Sequence, residues 1–243
     1  MSEPIYAIGD IHGRLDELHR VLGLIEADGG PDAQVILLGD YIDRGPDSAG
    51  VIDFLASETA SGRNWVTLMG NHDRYMRNFV GAKSVADPAT REGLYWFNPA
   101  LGGDKTMASY GIEAHEGSDL EEVHAAALAA VPRSHADFLA GLALKHVTDD
   151  HVFVHAGIRP GVALQDQIED DLIWIRKGFL DDTRDHGRLV VHGHTALQWP
   201  ARYVNRLNLD GGAGYFRNLH AAVLEGRDAW LLGDNGREPI PYA

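Results

Sequence analysis

The 243-residue chain predicts an α/β fold: two facing mixed β-sheets flanked by helices, with a helical cap inserted at about residues 81–144. Three observations carry that reading. A short apolar run leading into a Gly-polar loop and then a helical pattern occurs three times in the first part of the chain. An Ala-rich, helical stretch follows, and strand-like runs at short spacing then resume. A chain of this length fits one large domain, spanning residues 1–243, and buries roughly 70–75% of its extended surface.

Taken in order, Ile5-Tyr6-Ala7-Ile8 runs into Gly9-Asp10 and then into the stretch Arg14 to Ala27, where Leu15, Leu18, Val21, Leu22 and Ile25 recur at helical spacing. Val35 to Leu38 leads into Gly39-Asp40 and a helix near Ser48 to Ala60. Trp65 to Met69 leads into Gly70-Asn71-His72 and another helix. Strand, loop and helix repeated in this way specify a parallel sheet buried on both faces. From Gly81 to Leu144 the pattern is helical, broken at Pro88, Pro99, Gly102-Gly103 and Pro132; it reads as a cap overhanging the site. Strand runs return at His151 to Val154, Leu189 to Val191, Tyr203 to Leu209, Ala221 to Leu224 and Ala229 to Leu232. Their close succession predicts mainly antiparallel hairpins in the second half.

Composition narrows the chemistry. With 21 Lys+Arg against 36 Asp+Glu the formal charge is −15, which argues against broad nucleic-acid binding, since that needs clustered Lys and Arg. The absence of cysteine excludes disulfides, iron–sulfur clusters, Cys-ligated zinc and every thiolate nucleophile. Thirteen histidines point instead to nitrogen and oxygen ligands. No run approaches the roughly 18 apolar residues of a membrane span. The first apolar run is short, behind the acidic start Ser2-Glu3-Pro4, so a cytoplasmic location is the expectation. The sequence sets no oligomeric state.

The polar residues that follow the strand runs share a theme: Gly9-Asp10-Ile11-His12-Gly13, Gly39-Asp40-Tyr41-Ile42-Asp43-Arg44-Gly45, Gly70-Asn71-His72-Asp73, His155-Ala156-Gly157 and His192-Gly193-His194-Thr195. In a parallel sheet the carboxyl ends of the strands share one edge, so these carboxylates, an amide oxygen and several imidazoles converge on one rim. Such donors suit borderline-hard divalent ions, and six or more exceed one tetrahedral site. Two ions sharing a bridging carboxylate is the natural count, the arrangement used for phosphate-ester hydrolysis.

These motifs resemble the phosphoprotein phosphatase (serine/threonine phosphatase) family of the calcineurin-like metallophosphoesterases, in particular its small bacterial and phage members. The resemblance spans nearly the whole chain and implies the metallophosphoesterase β-sandwich. It implies that Asp10 and His12 hold the first ion, that Asp40 bridges both, and that Asn71, His155 and His194 hold the second. It implies that His72, oriented by Asp43, is the general acid, and that Arg44, Arg176 and Asn71 bind the substrate phosphate. The two cofactor ions are expected to be Mn²⁺, with Fe, Zn or Ni as alternatives. The implied reaction is phosphomonoester hydrolysis by in-line attack of water on a phosphorylated protein, peptide or small phosphate ester, on serine/threonine with tyrosine as a further option.

The family's third motif ends in Glu where this chain has Asp73. The shorter acid also occurs in relatives that hydrolyse diadenosine tetraphosphate, so a symmetrical dinucleoside polyphosphate hydrolase is the alternative. A non-catalytic phosphate-binding module is disfavoured, because no ligand is missing. His192 reads as core or ligand support, with His194 the ligand. His19, His115, His124, His135, His146, His151, His186 and His220 read as structural or surface residues. Gly103-Asp104-Lys105-Thr106 lacks the spacing of a phosphate loop, and Gly211 to Gly214 fits a backbone passing close to the metals.

Overall fold

The computed structural model describes residues 3–243. Its first part builds β1 (Ile5–Ile8), α1 (Leu15–Gly29), β2 (Gln34–Leu37), α2 (Ser48–Ala60), β3 (Trp65–Thr67) and α3 (Asn71–Ala82). Strands β1, β2 and β3 pair in parallel, with Ile8 opposite Leu37 and Leu37 opposite Thr67. After α3 the chain runs through turns to α4 (Gly103–Ser109), α5 (Leu120–Ala130) and α6 (Arg133–Ala140). The inserted stretch is therefore helical only in its later part. The prolines and glycines at 88, 99, 102 and 103 leave residues 83–102 as an irregular strap.

The remaining elements are β4 (Lys145–Val147), β5 (His151–Val154), α7 (Glu169–Trp174), β6 (Leu189–His192), β7 (Ala201–Arg202), β8 (Arg206–Asn208), β9 (Ala221–Glu225), β10 (Asp228–Gly233) and β11 (Gly236–Pro239). One sheet has the order β11-β10-β9-β1-β2-β3 and the other β4-β5-β6-β8-β7. The expectation of mainly antiparallel hairpins holds for β9, which pairs with β1, for β10 on β9 and β11 on β10, and for the pairs β4–β5 and β7–β8. It fails for the pairings of β5 with β6 and of β6 with β8, which are parallel. Their connections carry α7 and long loops, and a parallel crossover needs that length where a hairpin does not. The run expected from Tyr203 begins as strand only at Arg206.

Side-chain alternation shows how the layers close. In the first sheet Ala7 and Ile36 face the second sheet, where they meet Phe153, Leu189, Val191 and Leu207. Their neighbours Tyr6, Ile8, Val35 and Leu37 face the opposite side, against Leu18, Val21, Val51 and Ile52 of α1 and α2. In the second sheet Val152, Val154 and Val190 face away, against Leu172 and Ile173 of α7 and nearby Phe179. The period of two puts one face of each strand between the sheets and the other under helices, giving α/β/β/α layers. Trp96, Met107, Val123 and Leu139 belong to the same cluster as α1 and α2, so the inserted stretch packs onto the core it overhangs. Among the described residues no helix is long and apolar enough to cross a membrane.

Ile36 is fully buried between the sheets. Ile36→Ala should cost about 2–5 kcal/mol in denaturant unfolding, whereas Leu128→Ala, on an α5 side chain that is 57% exposed, should stay within about 0.5 kcal/mol.

Candidate active site

The loops after β1, β2, β3, β5 and β6 meet at one rim, as expected for carboxyl ends of strands. Their backbones are not ordinary. His12, Asp40, Asp43, Arg44 and His194 have φ of 50°, 52°, 72°, 69° and 65°, making up five of the seven described non-glycine residues with positive φ. Left-handed conformations cost energy in residues that carry a Cβ, and their clustering marks a site where geometry overrides local preference. Two glycines let these loops touch. A Cβ on Gly70 would strike the backbone nitrogen and carboxylate of Asp40, and one on Gly193 would strike the Asp10 carboxylate.

The six expected ligands and His72 are all buried. His12 Nδ1 lies 2.8 Å from Ile42 O and His155 Nδ1 lies 2.9 Å from Leu38 O. Donating Nδ1–H to a carbonyl aims each Nε2 at the site: that of His12 accepts from Arg44, while that of His155 faces the Asn71 and Asp40 oxygens and would give up its proton to bind an ion. His194 Nε2 is buried with no hydrogen-bond partner. Donor atoms of His12, Asp40 and His72 lie within 4.8 Å of one another, as do those of Asp40, His155 and His194. Asp40 is common to both groups, which is the arrangement of a bridging carboxylate. Asn71 Oδ1 stands 3.1 Å from His155 Nε2. Asp10 belongs to neither triplet: its carboxylate accepts the His194 backbone N–H at 3.0 and 3.1 Å. Arg44 donates to the lone pairs of His12 and His72, at 2.8 and 3.0 Å, so a cationic group already stands beside them.

The charge balance fits a cation-binding floor. Burial pushes Asp10 well up, and the nearby Asp210 and Asp40 charges add to it. Burial would also raise Asp40, but the charge of His155 holds it well below the carboxylate range. Burial and the charge on Arg44 keep His12 neutral, and burial with His155 does the same for His194. A raised Asp10, neutral His12 and His194, and an Asp40–His155 ion pair, in which the Asp40 charge lifts His155 to about 9 against burial, make a donor set where a divalent ion would take the place of the protons. The residues present therefore fit two metal ions.

Beside this floor, His72 Nδ1 and Asp43 Oδ2 are 2.6 Å apart. Burial drives Asp43 up to about 8, against the hydrogen bonds from Thr106 and Trp96 that favour its charged form. Burial likewise drives His72 down to about 3 despite the Asp40 charge. Trp96 Nε1 donates to Asp43 at 2.9 and 3.1 Å, and Thr106 Oγ1 donates at 2.6 Å. Trp96 and Thr106 come from the inserted stretch, so the cap supports the dyad as well as overhanging it. Neither was legible in the sequence: both sit far from the motifs, with only Thr106 inside the stretch dismissed as a phosphate loop. Asp73 was seen only as a substitution. Its Oδ2 accepts the N–H groups of Asp40 and Gly70 at 2.8 and 2.9 Å, and its Oδ1 that of Tyr41 at 2.9 Å. Asp210, buried after β8, was missed as well; an acid ending a strand run was its only signal. His192 is buried against Phe179 at 5.2 Å, outside the site.

A cavity of about 670 Å³ opens over the floor, with Arg44, Arg91, Arg176, Arg217, Trp174 and Tyr215 among its lining residues. Arg176, expected beside the phosphate, is in this lining and reaches His194 O at 3.3 Å. Arg91, Arg217, Trp174 and Tyr215 were not singled out in the sequence as phosphate-facing.

Residues 3–217 match the family model described as calcineurin-like phosphoesterase. Among curated proteins, the symmetrical bis(5′-nucleosyl)-tetraphosphatase of Nitrosospira multiformis is 26% identical over 161 residues, which is 66% of this chain and 46% of that protein. The chain spans about a quarter to under half the length of the curated relatives it matches. Among solved structures, a putative diadenosine tetraphosphatase aligns with a TM-score of 0.64 at 20% identity, over 97% of this chain and 96% of that one. A cold-active protein tyrosine phosphatase of a psychrophilic Shewanella aligns with a TM-score of 0.63 at 15% identity, over 98% and 80%. At these identities the structural likeness speaks for the fold.

Gly193→Ala should press on the Asp10 carboxylate and lower Mn²⁺ affinity about 10–100-fold, read by calorimetric titration. An unchanged affinity would remove Asp10 from the ligand set.

Proposed function

The chain belongs to the calcineurin-like phosphoesterase family, and we propose that within it this protein cleaves dinucleoside polyphosphates symmetrically, with diadenosine tetraphosphate as the type substrate. The phosphoprotein substrate expected from the motifs gives way to the alternative reading. The observation that carries the choice is the cavity: four arginines, Arg44, Arg91, Arg176 and Arg217, line about 670 Å³ above the donor cluster. Two guanidinium forks match one phosphoryl group; four suit a chain of phosphates. The curated relatives carry tetraphosphatase names, in keeping with that chemistry.

In this reading Asp10 and His12 would hold one divalent ion, Asn71, His155 and His194 the other, with Asp40 shared between them. Such ions, Mn²⁺ being our choice, would supply positive charge at the phosphoryl oxygens and acidify the attacking water. Arg44 and Arg176 orient the phosphoryl group under attack, while Arg91 and Arg217 carry the phosphates that leave. Water adds to one of the two central phosphorus atoms, the anhydride bond to the other central phosphate breaks, and two ADP molecules result. Once the polyphosphate draws Arg44 away from His72 Nε2, His72 takes up a proton there and passes it to the departing oxygen, with Asp43 fixing its ring and Trp96 and Thr106 fixing Asp43. No side chain serves as a covalent nucleophile.

Purified protein supplied with Mn²⁺ should convert diadenosine tetraphosphate to ADP as the sole nucleotide product. Its kcat/KM there should exceed that for phosphoserine, phosphothreonine and phosphotyrosine peptides at least about 10-fold. Chelation should abolish turnover, and His72→Asn should lower it about 10²-fold. A reversed ranking, with peptides the better substrates, would restore the phosphoprotein reading that Gly193-His194-Thr195 suggests.

A further inference from the structure

A 3-10 turn, Ala213–Tyr215, entered through Gly212 at φ 87°, carries Tyr215 into the cavity lining beside Arg217, with Phe216 between them in the chain and outside that lining. Phe216 has φ 60°, a left-handed conformation that a bulky aromatic residue adopts only at a cost. Tyr215 is 57% exposed and Phe216 69%, and neither ring joins any of the three apolar clusters. Core burial therefore gains little from either ring, yet the backbone is bent in a way that presents both.

Charge surrounds them. The guanidinium carbon of Arg44 lies 5.2 Å from the centre of the Tyr215 ring and that of Arg217 lies 5.8 Å from it. Arg14 lies 5.6 Å from the centre of the Phe216 ring. Arg14 is held in place by Asp16, at 3.1 Å through both Nε and Nη2. Two exposed rings among three guanidiniums, one of them on the floor of the cavity, suit a ligand that joins a flat π-system to a polyanion. A nucleotide has that form, and stacking on aromatic rings is tolerant of which base it is.

We propose that Tyr215 and Phe216 are the stacking platform for a nucleobase of the nucleoside polyphosphate, with its phosphates running past Arg217 toward Arg44. The proposal rests on the nucleotide reading of the site given above and adds the seat of the base. It assigns the strained turn a role in recognition that the phosphate chemistry alone does not require.

ADP and inorganic pyrophosphate share a diphosphate, and only ADP carries a base. Their Kd values, measured by calorimetry with Mn²⁺ present, separate stacking from phosphate binding. Phe216→Ala and Tyr215→Ala should each weaken ADP about 10-fold while pyrophosphate changes less than about 2-fold. Phe216→Trp should keep ADP affinity and Phe216→Leu should lose it, which distinguishes a π-face from mere bulk. Equal changes for the two ligands in Phe216→Ala, or no change for ADP, would overturn the platform. The two readings fail separately. Intact diadenosine tetraphosphate together with an ADP-selective loss overturns the hydrolase reading and keeps the platform; cleavage without an ADP-selective loss does the reverse.

Discussion

The carboxylate of Asp73 ties the site together. It accepts three backbone N–H groups, from Asp40, Tyr41 and Gly70, and so clamps the loop after β2 to the first turn of α3. Asp40 can then keep its left-handed backbone while its own Oδ1 accepts the His72 N–H at 2.9 Å. A buried charge needs such donors, because burial pushes this acid up to about 7 and the Asp40 charge pushes the same way. Were this clamp loosened, Asp40 and His72 would move together. The donor cluster is thus rigid because it is built from backbone, not because its side chains are large.

This constraint explains why the floor was so legible in the sequence. A left-handed Asp40, a Gly70 whose Cβ position falls on Asp40, and a Gly193 pressed against Asp10 impose residue types at particular positions of short loops. Motifs such as Gly39-Asp40-Tyr41-Ile42-Asp43-Arg44-Gly45 are the linear trace of that geometry. Strands β1 and β2 and helix α2 were equally readable, since a strand buried on both faces must be apolar throughout. The parallel order of β5, β6 and β8 was not. A four-residue apolar run carries no direction, and direction follows from what the connecting segments can span.

What stayed hidden shares a different property. Trp96 and Thr106 act on Asp43 from more than fifty positions away, Thr106 from α4 and Trp96 from a strap whose path no periodicity describes. Arg74 shows how that strap is held: its guanidinium grips Asp87 at 2.6 and 2.7 Å and reaches Asp170 at 2.5 Å on α7. Helix α3, the strap and α7 therefore meet at one buried arginine. Each such contact is a tertiary event between residues that are unremarkable in their local sequence, so local pattern has no means of registering it.

A division of labour follows from these two kinds of residue. The floor is specified by backbone strain and close approach, which leave few residue types open, and it sets the reaction. The rim comprises the strap at 83–102 and the turn at 213–217, where side chains are more exposed and local pattern names no fixed residue type, and it sets which phosphate ester arrives. Motifs drawn from the floor thus point to phosphate-ester hydrolysis whatever the substrate. The same floor can sit beneath a rim suited to a phosphopeptide or one suited to a nucleotide without altering a ligand. Here the rim contributes Arg91 and Arg217 beyond the two arginines that one phosphoryl group occupies. That surplus of positive charge, in a chain whose formal charge is −15, is local and confined to the mouth. A protein acidic overall gains nothing from concentrating guanidiniums there unless its ligand is itself strongly anionic, and this is the physical ground on which we propose a polyphosphate rather than a single phosphorylated side chain.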